Sequence, residues 1–193
     1  MSTRTDSGGR DPVIESRDQL IVAFSRGAKP KERWRIGTEH EKFVYSKADH
    51  HAPAYDEQGG IHTLLIGLTR YGWSPVFEGD NIIALSGPDG TVSLEPAGQL
   101  ELSGAPLENL HQTCAETARH LEQVKYVGDM LGLGFLGLGM WPDKTRVQLP
   151  VMPKGRYDIM LRHMPRVGTL GLDMMLRTCT IQTNLDYGSE ADM

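Results

Sequence analysis

The stretch RIGTEHEKFVY, residues 35–45, constrains the fold more than any other. It is rich in β-branched and aromatic residues and alternates in character, so it reads as a strand. Side chains two apart on a strand point to the same face. Glu39 and Glu41 therefore share one face, while Ile36, His40 and Val44 take the other. Two neighbouring carboxylates repel each other, and each is costly to bury alone. Such a strand needs open solvent or a cation in front of that face.

Two further segments repeat the pattern. In EPAGQLELSG, residues 95–104, Gln99, Glu101 and Ser103 share a face and Leu100 and Leu102 take the other. Glu95 and Glu101 flank its Pro-Ala-Gly turn. In RTCTIQTNLDY, residues 177–187, one face carries Thr178, Thr180, Gln182, Asn184 and Asp186; Cys179, Ile181 and Leu185 lie opposite. If these strands are sheet neighbours, Glu39, Glu41, Glu95, Glu101, Gln182 and Asn184 converge on one concave surface. Hard oxygen donors in that number suit Mg²⁺ or Mn²⁺. The competing reading is a set of unrelated, solvated acids on exposed strand faces.

The remaining punctuation fills in an α+β chain. Residues 1–14 read as a disordered tail. Ser16 and Gln19 fit a capping box for a helix with the apolar stripe Leu20, Ile21 and Phe24, closed by Gly27 and Pro30. A short helix carries Ile61, Leu64, Leu65 and Leu68 and ends near Gly72. NIIALSGPDGTVSLE is a hairpin turning through Pro88-Asp89-Gly90. Pro106 opens the longest helix, about 107–131, with Leu107, Leu110, Cys114, Ala118, Leu121 and Val124 as its apolar stripe. That orientation leaves Asn109, Gln112, Glu116 and Glu122 for solvent. GLGFLGLGMWP reads as extended, and VMPKGRYDIMLRHMP as a turn and a short helix.

Several bland assignments follow. Gly132, Gly134 and Gly137 match a dinucleotide motif, but they follow a helix rather than a strand. His50-His51 lies in a polar loop without partners at ligand spacing. Cys114 and Cys179, the only two cysteines, fall on apolar faces and read as buried thiols. The net charge of −5 argues against nucleic acid or an acidic membrane surface as partner. No apolar run spans a bilayer, and the polar N-terminus lacks a signal-peptide core, which predicts a cytoplasmic protein.

IGTEHEKF, LEPAGQLELSGAPLENLHQTCAE, PVMPKGRYDIM and GTLGLDMMLRTCTIQTNLD together resemble the plant and proteobacterial type of glutamate–cysteine ligase. The resemblance runs from about Ser16 to Met193. It implies a glutamine-synthetase-like funnel: a curved, largely antiparallel sheet with helices outside, here incomplete. Residues 15–193 would form the N-terminal part of that catalytic domain. It implies ATP-dependent joining of glutamate to cysteine, through a γ-glutamyl phosphate, as the first step of glutathione synthesis. Glu39, Glu41, Glu95 and Glu101 would then be Mg²⁺ (or Mn²⁺) ligands, and Gln182 and Asn184 metal or nucleotide contacts. Arg156 would hold substrate or the transferring phosphate. Thr178 and Thr180 would face the substrate, and Cys114 would join a redox-regulatory disulfide. Ala97 and Leu100 depart mildly from the family, which has glycine and an aromatic there. Family members are more than twice as long, so a separate C-terminal chain is a candidate partner. Another ATP-dependent carboxylate–amine ligase, a non-catalytic remnant or subunit, and a simple divalent-metal-binding β-domain remain alternatives.

Overall fold

The computed structural model describes residues 13–88 and 90–193. The elements run α1 (Arg17–Ser25), β1 (Ile36–Ser46), α2 (Ile61–Leu68), β2 (Ser74–Glu78), β3 (Asn81–Gly87), β4 (Gly90–Leu94), β5 (Leu100–Gly104), α3 (Leu110–Leu131), β6 (Leu133–Leu136), α4 (Gly155–Val167), α5 (Gly171–Arg177) and β7 (Ile181–Leu185). The tail expectation falls mostly on residues 1–12, outside the described residues, as does Asp89 of the hairpin turn.

All seven strands join one open antiparallel sheet, ordered β2-β3-β4-β5-β1-β6, with β7 also on β1. The opening sequence stretch is its organising strand. The first half of β1 pairs with β5 on one edge and β7 on the other, and its second half pairs with β6.

One sheet face is covered by helices. Leu85, Val92, Leu94, Leu100 and Leu102 point that way, and meet Leu64, Leu65 and Leu68 of α2 and Val124 and Val127 of α3 in one buried cluster. Each such leucine contributes on the order of 2 kcal/mol by leaving water. Where α2 crosses α3, a Cβ on Gly67 would overlap the Val127 side chain. Gly67→Ala is therefore expected to cost about 1–3 kcal/mol through overpacking. That outweighs the gain of about 1 kcal/mol in helix propensity. A thermal melt followed by circular dichroism would show a lower midpoint; a higher one would mean that the crossing yields.

The long helix is rotated from its expected orientation. Its buried residues are Glu116, His120, Val124, Val127 and Gly128. Leu110 is 68% exposed and Leu121 46%, and Cys114 is exposed, not buried. The cause lies on β1, whose helix-side face presents Thr38, His40 and Lys42. These polar groups need polar partners, so α3 turns hydrogen-bonding residues inward. Thr117 Oγ1 stands 3.3 Å from His40 Nε2, and Lys42 Nζ 3.0 Å from His120 Nε2. Glu116 accepts from the Ala105 N–H at 2.8 Å. Asn109, rather than Pro106, starts the helix, its side chain capping the His111 and Gln112 N–H groups.

Other expectations shift less. Ser16 caps α1, but Gln19 reaches the Glu15 N–H rather than closing the box on Ser16. No residue of α1 is buried, so its stripe covers no core. Gly27 is not in the left-handed region; its bare Cα leaves room for the Tyr187 hydroxyl. β2 and α5 carry no signal that the sequence reading used. Ile181 and Leu185 on β7 are 73% and 71% exposed, not core.

Candidate functional site

The sheet face opposite α2 and α3 gathers the acids. Across β1 and β5, Glu41 stands directly opposite Glu101, and Ser93 of β4 continues that row. The next row runs Thr91, Ser103, Glu39, Gln182. Asn184 lies opposite Gly37, one step further along. Like charges directly opposite in a sheet are destabilising, so this arrangement is costly unless compensated. Within the protein the compensation is local. Glu41 accepts from the Thr180 N–H at 2.9 Å and from its hydroxyl at 3.2 Å, and Asn184 Nδ2 donates to Glu39 at 3.1 Å. Ser103 Oγ donates to Glu101. Two residues past Glu41, Phe43 is buried against Trp141, ring centroids 4.5 Å apart, which closes that end of the face.

Glu95 joins the cluster from the turn after β4. That turn is shaped by hydrogen bonds from Glu95 N–H to the Gln99 carbonyl and from Gly98 N–H to the Glu95 carbonyl, both 2.9 Å. Gly98 sits at φ +83°, where a side chain would be strained. The carbonyl of Leu94, just before Glu95, accepts from both Lys154 Nζ and Tyr157 Oη at 2.6 Å. Arg156 Nη2 lies 3.6 Å from Glu95 Oε1 and 3.2 Å from the Tyr157 hydroxyl. The PKGRY string thus supplies a buried ammonium and phenol that fix the Glu95 backbone, and a half-exposed guanidinium beside its carboxylate.

Gln99 ties the turn to the start of β7. It is 2% exposed, accepts from the Ala97 N–H at 2.8 Å, and donates to the carbonyls of Leu176 and Thr178 at 3.4 and 3.0 Å.

The expected residues Glu39, Glu41, Glu95, Glu101, Gln182, Asn184, Arg156 and Thr180 therefore come together. Thr178 does not lie on the strand. It caps α5, its hydroxyl donating to the Met174 carbonyl at 2.6 Å. Cys114 is on α3, behind the opposite sheet face. Lys154 and Tyr157 escaped the sequence reading, although both stand in PKGRY; lysine flanked by proline and glycine was the available signal.

Desolvation, with Glu101 nearby, pushes Glu95 up to about 7 despite Lys154 and Arg156. Glu41 is raised as well, again chiefly by desolvation, against the Thr180 hydrogen bonds. Both shifts report chiefly the burial of a carboxylate charge, with repulsion from Glu101 added, and a cation beside the carboxylates would lower both. A carboxyl whose pKa is higher folded than unfolded stabilises most below the unfolded value. That stability is lost as pH rises through the folded one. In metal-free buffer, the urea midpoint is therefore expected to fall between about pH 4.5 and about pH 7, and Glu95→Gln to flatten that decline.

As the side chains stand, no three histidine, cysteine, aspartate or glutamate residues among the described residues are grouped to hold a metal ion. The donor chemistry nevertheless suits a hard cation: carboxylate oxygens held close, and a buried Glu95 Oε1 that accepts no hydrogen bond. Loading would require Glu95 and Glu101 to turn from Arg156 and Ser103.

The sequence has relatives. Residues 35–193 match the family model of Glutamate-cysteine ligase family 2 (GCS2). The chain belongs to that family. It is 56% identical over 179 residues to the chloroplastic glutamate–cysteine ligase of Arabidopsis thaliana, covering 92% of this chain and 34% of that protein. Against the chloroplastic enzyme of Medicago truncatula the identity is 54%, with 92% and 35% covered. Against chloroplastic glutamate–cysteine ligase A of Oryza sativa subsp. japonica it is 52%, with 92% and 36% covered. The chain thus spans about a third of the length of these glutamate–cysteine ligases. Their names overturn the cytoplasmic expectation: these relatives are chloroplastic, which a polar N-terminus without a signal-peptide core does not reveal.

Proposed function

We propose that this chain supplies one wall of the active site of an ATP-dependent glutamate–cysteine ligase, making γ-glutamylcysteine on the way to glutathione. The register that sets Glu41 against Glu101, with Glu95 and Arg156 beside them, carries the reading. Glu41, Glu95 and Glu101 would hold Mg²⁺ or Mn²⁺, with Glu39 at the margin. A bound divalent ion supplies neutralisation of phosphate charge.

The protein's own task is positioning. The γ-carboxylate of glutamate attacks the γ-phosphorus of ATP; ADP leaves and γ-glutamyl phosphate forms. The amine of cysteine then attacks the acyl carbon, releasing phosphate. Arg156 would donate to a phosphoryl or carboxylate oxygen, which strengthens as charge develops there. Gln182 and Asn184 would donate amide hydrogens to the nucleotide or glutamate, and the Thr180 hydroxyl lies at the same margin. Lys154, Tyr157 and Gln99 hold the Glu95 turn rigid.

The test is complementation. This chain, mixed or co-expressed with the C-terminal remainder of a plant relative, should release ADP only when glutamate and cysteine are both present. Folded partners without such release would sink the reading, and release with other amino-acid acceptors instead of cysteine would favour a different carboxylate–amine ligase.

A further inference from the structure

The face of β1 turned towards α3 holds a buried cation at the level of the acids. Lys42 is 5% exposed, and its ammonium donates to the carbonyls of His40 and Leu100 at 3.0 and 3.3 Å. Its third partner is His120 Nε2, 3.0 Å away on α3. An ammonium can only donate, so Nε2 accepts and all three of its hydrogens are engaged.

The two carbonyls belong to different strands. In the register of β1 with β5, His40 faces Leu102, Glu41 faces Glu101 and Lys42 faces Leu100. Antiparallel neighbours alternate between pairs that exchange backbone hydrogen bonds and pairs that do not, and side chains come closest in the second kind. Glu41 directs its N–H to the Thr180 carbonyl at 3.1 Å, on the other side of β1. Glu41 and Glu101 are therefore a pair without backbone bonds between them, and their like charges meet where strands tolerate them least. The carbonyls of His40 and Leu100 belong to the peptide groups just before Glu41 and Glu101. Lys42 ties these two groups together from the opposite face, at the level where the ladder has no rung of its own. A carbonyl oxygen has two lone pairs, so this tie adds to the ladder rather than replacing a bond of it.

We propose that Lys42 is a positioning residue for the divalent cation, which it does not touch. It fixes the separation of β1 and β5 at the facing acids, so that Glu41 and Glu101 present their carboxylates to one ion. This role rests on the reading of Glu41 and Glu101 as metal ligands. A bare counter-charge would act with the opposite sign: an ammonium near the acids repels a divalent ion, and its removal would tighten binding.

The test is a Mn²⁺ titration of the 193-residue chain, with the free ion followed by electron paramagnetic resonance. Lys42→Met keeps the unbranched apolar stem and removes the tie. Exchanging a buried charge for an apolar group of similar volume is often neutral for stability. The double variant Lys42→Met with His120→Leu also removes the imidazole acceptor left behind, and serves if the single variant fails to fold. Mn²⁺ affinity is expected to fall roughly 10- to 100-fold, the range for groups that hold metal ligands in place. The cross-strand nuclear Overhauser effect between the Glu41 and Glu101 α-protons should weaken with it. Gly67→Ala disturbs the remote contact with Val127 and should leave Mn²⁺ affinity unchanged, which separates positioning from a general loss of stability. Unchanged or tighter binding by the folded Lys42 variant, or an equal loss in Gly67→Ala, would overturn the proposal while leaving the acids as ligands. No saturable binding by the unsubstituted chain would overturn the ligand reading, and this role with it.

Discussion

Glu41→Gln, in this chain complemented by the C-terminal remainder of a plant relative, is expected to cut glutamate- and cysteine-dependent ADP release by about 100-fold. That is the scale of removing one group aimed at charge in the transition state. Near-normal turnover at saturating Mg²⁺ would remove Glu41 from the site. The isolated chain gives a second readout with opposite sign. In metal-free buffer the substitution relieves the repulsion between facing Glu41 and Glu101, a gain of about 0.2–1 kcal/mol. The glutamine oxygen still accepts from the Thr180 N–H, and its NH₂ donates to the Thr180 hydroxyl oxygen in place of the hydrogen bond that Glu41 accepted there. Saturating divalent cation should stabilise the unsubstituted chain, by about 2.7 kcal/mol at a hundredfold excess over its dissociation constant. The variant should lose most of that shift. A slightly more stable apo-protein that ignores Mg²⁺ is the combined signature of a lost ligand. General damage would lower stability under both conditions.

Gln99→Leu is expected to have the largest effect on stability, roughly 3 kcal/mol, although leucine fills a similar volume. The substitution strips the Ala97 N–H of its acceptor and the Leu176 and Thr178 carbonyls of a donor. Each buried group left so costs about 1–3 kcal/mol, partly offset by the apolar side chain. Urea unfolding should show the loss as a lower midpoint with an unchanged slope. Hydrogen exchange should rise around residues 176–180 and in the 95–99 turn together, since Gln99 is the tie between them. A loss below about 0.5 kcal/mol would mean that the turn holds without it.

The sequence exposed the sheet face well, because period-two alternation is a local property. Glu39 with Glu41, Gln99 with Glu101, and Gln182 with Asn184 are each set by their own strand, and the hairpin 81–94 places β3 beside β4. The pairing of β1 with both β5 and β7 is a long-range fact that no single segment encodes, so the sequence left it as a condition. The longest helix failed for a physical reason. An apolar stripe marks the buried face only when the opposing surface is apolar. Here β1 offers Thr38, His40 and Lys42, so Glu116 and His120 go inward while Leu110 and Cys114 face out. The polar helix-side face of β1 was itself the clue. Thr178 failed because the alternation was extended backward into α5, which ends at Arg177.

β7 carries a practical consequence. Its five residues, Ile181–Leu185, are exposed throughout, paired on one edge only, and contain no charge and no proline. Isoleucine, threonine and leucine alternate with two amides, a composition prone to stacking against identical copies. In concentrated solutions of the isolated chain this strand is the place where intermolecular sheet growth, and so precipitation, would begin. A lysine in place of Thr183 would act as a solubilising gatekeeper there while leaving Gln182 and Asn184 on the acid-bearing face.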